Sequence, residues 1–467
     1  MKKLYKRREF LGQISCAGMG YMTLMNSLIN LKAINAASIS NSDTKGYKAI
    51  VCILQAGGND SFNTLIPNSP EQYTHYSTSR SNLAIEKSKI LPLYSPSGSM
   101  LDYGLHPSMN GVQNLFNNGK LSFIANIGTL MDNMSISEYK NKTKAVPLGL
   151  FSHSDQIQQW QTGLKDQRTA IGWGGKVADI INDQGNSGNI SMNISLSGTN
   201  IFQAGNDTVG YALNENGTIS MEKYGNTDNL LNTIRTNAVT NLMAHNYQDI
   251  FKNTFKNTMQ NSHDAHVEFS RALQNFKGFR EETFTKVNPI SQDLKMIAST
   301  IGMHKELGFN RQIFFLNFGG WDHHDKLLGN HESMIGILSS AMEEFYDGLE
   351  QHHLSDQVLT FTTSEFGRTL TSNGDGSDHA WGGNVMVMGG ENLIKGQQIF
   401  GSYPSLELRG PDDVGNGVIL PTLSTDSYFT EIAKWFGVDT PDLKVLFPQI
   451  GNFYDIQSAN YPIGFIK

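Results

Sequence analysis

The chain has 467 residues, of which 39% are hydrophobic, and its 36 basic and 43 acidic residues give a formal net charge of −7. A net negative charge argues against nucleic acid as a partner, because the phosphate backbone would be repelled. The length is sufficient for one large α/β domain with insertions or for two domains.

The N-terminus has the three parts of a bacterial export signal. Arg7–Leu11 follows the twin-arginine pattern in a basic head, residues 11–31 form a weakly apolar run, and Ala36 and Ala37 offer a cleavage site. We expect residues 1–37 to be a signal peptide recognised by the twin-arginine translocase, and the mature chain to be periplasmic or secreted. The alternative is an uncleaved anchor, although the run is polar for a membrane span.

The chain beyond the signal is more acidic than the whole. It contains 30 basic and 42 acidic residues, because residues 1–37 hold six basic residues and one acidic residue. Cys52 is then the remaining cysteine, which excludes an intrachain disulfide. No second apolar run is long enough to span a bilayer, so we expect no stable membrane span in the mature chain.

Five short apolar runs predict strands that are buried on both faces. They are rich in β-branched or aromatic residues, and most end close to a glycine. Helical patterns lie between them, and in residues 331–352 apolar side chains recur at three-and-four spacing. This alternation predicts an α/β fold with a doubly wound, mostly parallel sheet between helices. The five runs are residues 49–55, 121–127, 312–317, 357–362 and 384–388.

Two segments interrupt this alternation. Residues 186–227 are rich in Asn, Gly, Ser and Thr, and predict a β-hairpin excursion or lid near the mouth of the strand-end crevice. Residues 232–307 are helical and polar, which predicts an antiparallel pair of helices. We therefore expect a single domain over residues 38–467, with an insertion at about 186–307. Residues 425–437 predict a last packing helix with a Thr or Asp cap and a Gly stop.

Acidic residues and histidines follow the predicted strands. In open α/β sheets ligands bind beyond the carboxyl ends of the strands, so these side chains are expected to converge on one crevice. Converging carboxylates and imidazoles suit one or two divalent ions (Zn, Mn, Mg or Ca), since without a cation the carboxylates would repel one another. They are Asp60 after the first strand, Asp322 and His324 after the third, Glu365 after the fourth, and Asp378 and His379 before the fifth.

Each ligand candidate also has a purely structural alternative, because turns, loops and ion pairs use the same residue types. The alternatives are a turn residue for Asp60, a surface loop for Asp322 and His324, an ion pair with Arg368 for Glu365, and a satisfied core histidine for His379.

Four motifs in this order, together with the export signal, resemble the bacterial domain-of-unknown-function family 1501 (DUF1501). They are Gly-Gly-Asn-Asp at 57–60, Gly-Gly-Trp-Asp-His-His at 319–324, Ser-Glu-Phe-Gly-Arg-Thr at 364–369 and Asp-His-Ala-Trp-Gly-Gly at 378–383. The family looks like a distant branch of the alkaline phosphatase and sulfatase superfamily. The resemblance covers essentially the whole mature chain. It implies an alkaline-phosphatase-like α/β domain, one or two divalent metals, and hydrolysis of phosphate or sulfate esters through a side-chain nucleophile.

The resemblance also implies roles for individual residues. Asp60, Asp322, His324 and His379 resemble the superfamily's metal ligands. Glu365 stands where an Asp-His ligand pair is usual, so a second metal would lack an imidazole. Arg368 and Asp378 would support this site.

The sequence does not decide which residue would attack the ester. The superfamily's pattern places the attacking residue about nine residues before a Thr-Gly pair, and counting back from Thr162 reaches His153. The catalytic candidates are therefore His153 and its two neighbours, Ser152 and Ser154. A serine at a helix N-terminus beside a metal would have its alkoxide stabilised by the dipole and the cation. Alternatively, Ser152 or Ser154 only caps the helix. Thr129, after the second strand, is a further candidate.

Two functions from different classes follow. The first is an exported metal-dependent hydrolase of small or polymeric phosphate or sulfate esters, in which the metal polarises the ester oxygen. The second is an exported, non-catalytic protein that keeps the fold, with or without a structural metal, and binds a glycan, a polymer or a partner protein. Metal content together with turnover of aryl phosphates and sulfates distinguishes the two.

Overall fold

The computed structural model describes residues 46–181, 186–187 and 190–467. The predicted signal peptide, residues 1–37, lies outside the described residues. Gly46–Lys467 form one compact unit. Within the described part of the chain, no helix combines the length and apolar character that a membrane span requires.

The structure contains thirteen strands and twelve α-helices among its described residues. The strands are β1 Lys48–Ala56, β2 Leu65–Pro67, β3 Leu91–Tyr94, β4 Met100–Leu105, β5 Leu121–Gly128, β6 Asn193–Ser195, β7 Tyr211–Asn214, β8 Gly217–Thr218, β9 Arg311–Gly319, β10 Val358–Thr363, β11 Gly383–Met388, β12 Ile399–Phe400 and β13 Leu423–Ser424. The helices are α1 Ser61–Thr64, α2 Pro70–Arg80, α3 Asn110–Asn117, α4 Ile136–Asn141, α5 His153–Thr162, α6 Trp173–Ile181, α7 Leu230–Ala244, α8 Ile250–Asn275, α9 Pro289–Gly302, α10 Leu327–Gln351, α11 Thr425–Phe436 and α12 Thr440–Leu446.

The main sheet has the order β12-β5-β11-β10-β1-β9-β6-β7-β8, and β13 also pairs with β5. Its central strand β1 runs parallel to β9 and β10, whereas β11 runs antiparallel to both β10 and β5. The apolar run of β1 is buried along its length, because helices such as α11 pack against it. The fold is therefore α/β with a mostly parallel sheet, as the sequence predicted. A small separate sheet has the order β2-β4-β3.

The five predicted strands are confirmed as β1, β5, β9, β10 and β11, with ends that differ by at most two residues. The predicted helix over residues 331–352 is α10, which begins four residues earlier. The helix predicted over residues 425–437 is α11. Its cap is Ser424, whose hydroxyl accepts from the Asp426 N–H, and Gly437 ends it with a φ of 117°. It is not the last helix, since α12 follows.

The segment over residues 186–227 contains the predicted hairpin, β7–β8, but it is not an excursion from the main sheet. β6 pairs with β9, and β7 pairs with β6, so the segment extends one edge of that sheet. The polar composition concealed the strand. Asn193 is fully buried in β6, where its amide nitrogen donates a 2.9 Å hydrogen bond to the Gln203 carbonyl, so the strand accepts a polar side chain inside the sheet.

The helical segment over residues 232–307 also differs from the prediction. It holds three helices, α7, α8 and α9, instead of an antiparallel pair. The side chains of Asn229, Asp249 and Asn288 accept hydrogen bonds from backbone N–H groups at the start of each helix. These three N-caps divide a continuously polar helical pattern into three pieces.

Candidate metal centre

The candidate site lies where β1, β9 and β10 end. Their parallel register places Ala56 opposite Gly319, and Leu54 opposite Thr363, so the loops that follow meet at one edge of the sheet. The antiparallel direction of β11 brings the loop before it to the same edge. Gly57 allows the loops to touch: its φ is +125°, and a Cβ there would lie 2.4 Å from the backbone nitrogen of Asp322.

The start of α5 completes the site. His153 is the first residue of this helix, and Phe151 precedes it with a φ of 73°, which is uncommon for a non-glycine residue. The Phe151 N–H donates to Gln156 Oε1 at 2.6 Å, and its carbonyl accepts a hydrogen bond from Nδ1 of His379 at 2.8 Å. The Phe151 backbone thus orients the His379 ring and is itself held to α5 by Gln156.

Three potential ligand atoms, one each from His153, Asp322 and His379, all lie within 4.8 Å of one another. Nε2 of His153 is 3.3 Å from Asp322 Oδ2, and Nε2 of His379 is 3.3 Å from Oδ1. His324 adds a third imidazole, because its Nε2 lies 3.0 Å from the same Oδ1 and 3.0 Å from Nε2 of His379. Three imidazole nitrogens therefore surround one carboxylate.

Each of these imidazoles has an acceptor at its other nitrogen, Nδ1. An acceptor there places the ring proton on Nδ1 and leaves the lone pair on Nε2, which is how proteins orient metal-binding histidines. The acceptors are Glu365 Oε1 for His153 at 2.7 Å, the Phe151 carbonyl for His379 at 2.8 Å and Asp378 Oδ1 for His324 at 3.2 Å.

Nε2 of His153 is buried and has no hydrogen-bond partner within the described chain. Its lone pair faces the Asp322 carboxylate, which is a repulsive arrangement unless a proton or a cation lies between them. The hydrogen bond to Glu365 raises the pKa of His153, as do the nearby charges of Glu365 and Asp322, while burial and Arg368 oppose the rise. The residues present therefore fit a divalent cation held by imidazole Nε2 atoms and a carboxylate.

Arg368 stabilises the ionised form of Asp322. Its fully buried guanidinium donates to Asp322 Oδ1 at 2.7 Å and to the Gly57 carbonyl at 3.2 Å. Burial alone would raise the pKa of Asp322, but the hydrogen bond and charge of Arg368, together with the site histidines, bring it below its usual value. Glu365 does not form the alternative ion pair with Arg368, because its carboxylate contacts His153 instead.

Asp60 lies in a different environment from the one expected for a ligand. It is fully buried, and its Oδ2 forms an ion pair with Arg80, which also donates to the Thr369 carbonyl at 2.8 Å. Burial raises the pKa of Asp60, while Arg80 and Arg368 lower it. The group formed by His153, Asp322 and His379 does not include it, so a ligand role for Asp60 stays a prediction.

The candidate serines lie at the surface of the α5 N-terminus. The hydroxyls of Ser152 and Ser154 are 3.1 Å apart, and the Ser152 side chain caps no helix N–H. Thr129 is fully buried, where its hydroxyl accepts from Gln156 at 3.1 Å. Of the three catalytic candidates around position 153, only the histidine belongs to the cluster of ligand atoms.

An open cleft of about 560 Å³ gives access to the cluster. His324, His379 and Asp378 form part of its wall, and Thr369 and Asn416 contribute a hydroxyl and an amide. A substrate in this cleft would therefore meet the exposed side of the imidazoles, the Asp378 carboxylate and two neutral hydrogen-bonding side chains.

Glu365→Gln should weaken divalent-metal binding. Glu365 is almost completely buried, and its Oε1 accepts hydrogen bonds from the Gly57 N–H at 2.8 Å and from His153 Nδ1. Removing the charge lowers the basicity of His153, and such supporting carboxylates are worth about 10–100-fold in metal affinity. Calorimetric titration with Zn²⁺ or Mn²⁺ measures this, with the exposed Glu332→Gln on α10 as the control. Equal affinities for the two variants would contradict the role.

A second, buried group of histidines lies beside the site. His331 on α10 is fully buried, with Nε2 3.1 Å from Asn59 Oδ1 and no partner at Nδ1 among the described residues. Its ring centroid is 5.4 Å from that of His106. Burial lowers the pKa of His331 well below its usual value, helped by the charges of His106, His323 and Arg80. No sequence pattern indicates this group, because its members come from three separate loops and helices.

These histidines should make the protein less stable in acid. Burial lowers the pKa of His106 to about 4, so the unfolded chain takes up protons below about pH 6.5 that the folded chain excludes. The free energy of unfolding should therefore fall as the pH drops from about 6.5 towards 4, by up to about 1.4 kcal/mol per pH unit for each histidine. Urea denaturation of chelator-treated protein tests this. His331→Gln should reduce the dependence of the unfolding free energy on pH, whereas the exposed His245→Gln should leave it unchanged. An equal pH dependence in both variants would show that His331 does not cause the loss of stability in acid.

A family model described as "Protein of unknown function (DUF1501)" matches residues 47–432, which confirms the resemblance found in the four motifs. None of the curated proteins compared with the chain matches it. Similar solved structures include the lipoteichoic acid synthase LtaP from Listeria monocytogenes, at 10% identity over 92% of this chain and 82% of that chain, with a TM-score of 0.33.

Two further similar structures are enzymes of the kinds that the resemblance implies. The PsFucS1 sulfatase from Pseudoalteromonas sp. has 12% identity over 88% of this chain and 70% of that chain, with a TM-score of 0.35. A mutant of the alkaline phosphatase PafA has 12% identity over 69% and 64%, with a TM-score of 0.24. Similarity this low assigns no activity, so the functional argument depends on the residues of the site.

Proposed function

The chain belongs to the DUF1501 family of proteins of unknown function, and we propose that it is an exported, divalent-metal-dependent hydrolase of phosphate or sulfate esters. The observation that carries the proposal is the convergence of the Nε2 atoms of His153, His324 and His379 on Asp322. Such a set of nitrogen and oxygen donors, each oriented by a further hydrogen bond, is typical of zinc and related transition metals.

The protein's own residues would act as follows. His153, His379 and Asp322 would hold the ion, with His324 beside them at the cleft. A divalent ion bound there would supply a Lewis acid to polarise an ester oxygen and to lower the pKa of an attacking group. Arg368 would keep Asp322 ionised, and Thr369 and Asn416 in the wall of the cleft would donate hydrogen bonds to the remainder of the substrate.

The attacking group is either water or the Ser152 hydroxyl. Ser152 lies one residue before His153, but its hydroxyl contacts Ser154 instead of the cluster. The same observation favours the second candidate function, an exported binding protein that retains the metal and does not catalyse. Ser152→Ala distinguishes these possibilities, because it removes a serine nucleophile and leaves the ligand atoms in place.

The proposal is tested by metal analysis and turnover of the purified protein. We expect stoichiometric divalent metal, hydrolysis of an aryl phosphate or an aryl sulfate, and loss of that hydrolysis with a chelator. If Ser152→Ala retains turnover, Ser152 is not the nucleophile. Bound metal without turnover of either ester would favour the binding protein, and the absence of both metal and turnover would overturn the proposal.

Export by the twin-arginine route belongs to the same proposal and depends on the N-terminal sequence alone. Replacing Arg7 and Arg8 by lysine should retain the precursor in the cytoplasm, as cell fractionation would show. Normal export of that variant would contradict the routing.

A further inference from the structure

Helix α7 and the first half of α8 bury almost none of their side chains. Only Asn232 and Met243 are buried on α7, which has fifteen residues, and the buried residues of α8 all lie at or beyond Ala265. Most helices in globular proteins are stabilised by packing an apolar face against the core. The described fold does not provide that packing for these two segments.

Several large apolar side chains of this helix pair are exposed. Seven large apolar residues there are between 56% and 82% exposed, and a groove of about 310 Å³ between the helices is lined mainly by apolar atoms. Exposed apolar side chains beside an apolar groove are typical of an interaction surface. The seven residues are Leu230, Leu231, Ile234 and Leu242 on α7 and Ile250, Phe251 and Phe255 on α8.

The groove of this surface carries cations, although the chain as a whole has a net charge of −7. Lys252 and Lys256 line the apolar groove, and no carboxylate is among its lining residues. Over residues 228–264 the three cations, Arg235, Lys252 and Lys256, are balanced by three carboxylates, Asp228, Asp249 and Asp264. The positive charge is therefore local to the groove.

We propose that this α7–α8 surface, defined by the seven apolar residues and the three cations, binds a membrane surface that contains anionic lipids. Aromatic and aliphatic side chains interspersed with lysine or arginine are the features of helices that lie in the membrane–water interface. A second copy of the chain is the competing occupant, and the test below distinguishes it from a membrane surface. The acidic remainder of the chain orients this surface towards an anionic membrane.

The test is sedimentation of the protein with lipid vesicles. We expect binding to mixed phosphatidylcholine–phosphatidylglycerol vesicles, weaker binding to pure phosphatidylcholine vesicles, and loss of binding as salt is raised. The full chain and the chain cut after Ala37 are compared, because residues 11–31 carry their own apolar run. The effects of the variants must appear in both forms.

Two variants separate the apolar from the ionic contribution. Phe251→Ser with Phe255→Ser should weaken partitioning at least about tenfold, and Lys252→Gln with Lys256→Gln about thirtyfold. The matched controls on exposed positions elsewhere are Val445→Ser, and Lys140→Gln with Lys444→Gln, which should change nothing. Circular dichroism verifies that all variants are folded.

Three results would overturn the inference. The first is failure of the wild-type protein to bind either kind of vesicle. The second is binding that the phenylalanine and lysine variants leave unchanged. The third is self-association without vesicle binding, lost in the Phe251→Ser, Phe255→Ser variant, which would assign the surface to a second copy of the chain. None of these outcomes depends on ester hydrolysis.

Discussion

Asp322→Asn should abolish metal-dependent hydrolysis and leave the fold intact. Asp322 is the carboxylate on which the three imidazoles converge, so the variant removes the negative charge that a divalent ion needs. We expect metal affinity to fall by more than about a hundredfold, beyond the usual effect of a supporting residue. Metal titration and turnover of the aryl ester measure the loss.

Without metal, Asp322→Asn should lose some stability, because the fully buried Arg368 loses the charge of its partner, but less than Asp60→Ala loses. The Asp322 side chain is 42% exposed, and Arg368 keeps hydrogen bonds to the carbonyls of Gly57 and Ser377. The neighbouring Asp325→Asn, also exposed, is the matched control and should retain metal and activity. Asp322→Asn protein that binds metal normally would exclude the proposed centre.

Asp60→Ala should destabilise the protein by about 3–5 kcal/mol, because it leaves the buried charge of Arg80 without its partner. Both side chains of this ion pair are completely buried. Replacing both partners together, as Asp60→Leu with Arg80→Met, should cost much less, since paired apolar residues leave no uncompensated charge. Urea denaturation of the three proteins measures the difference.

Chelator distinguishes this ion-pair role from a ligand role for Asp60. If Asp60 acts through Arg80, the cost of Asp60→Ala should be the same with and without chelator. If Asp60 binds the metal, most of the cost should disappear when chelator has already removed the ion from the wild-type protein. The second result would restore the role that the superfamily resemblance implies.

The sequence predicted well those features that a repeating pattern encodes. The five buried strands and α10 follow from apolar runs and periodicity, and the position of Asp322 and His324 follows from their place after β9. His379 lies at the site because β11 runs antiparallel to its neighbours, and no local sequence pattern specifies that direction. The position of His379 next to Asp322 therefore depends on long-range strand pairing, which the motif at 378–383 does not encode.

The partners of individual side chains were harder to predict. Asp60 has the sequence position of a ligand, yet its partner is Arg80, twenty residues away at the end of α2. His153 has the sequence position of a catalytic candidate, whereas its contacts with Asp322 and Glu365 are those expected of a metal ligand. Both depend on how α2 and α5 pack on the sheet, and such tertiary contacts leave no trace in local spacing.

Anomalous diffraction from crystals of the Zn²⁺- or Mn²⁺-loaded protein tests the central claim most directly. We expect one peak at roughly 2.0–2.2 Å from Nε2 of His153, Nε2 of His379 and a carboxylate oxygen of Asp322. A protein that takes up no ion there, or a peak bound at Asp60 without these three residues, would contradict the assignment of the metal centre.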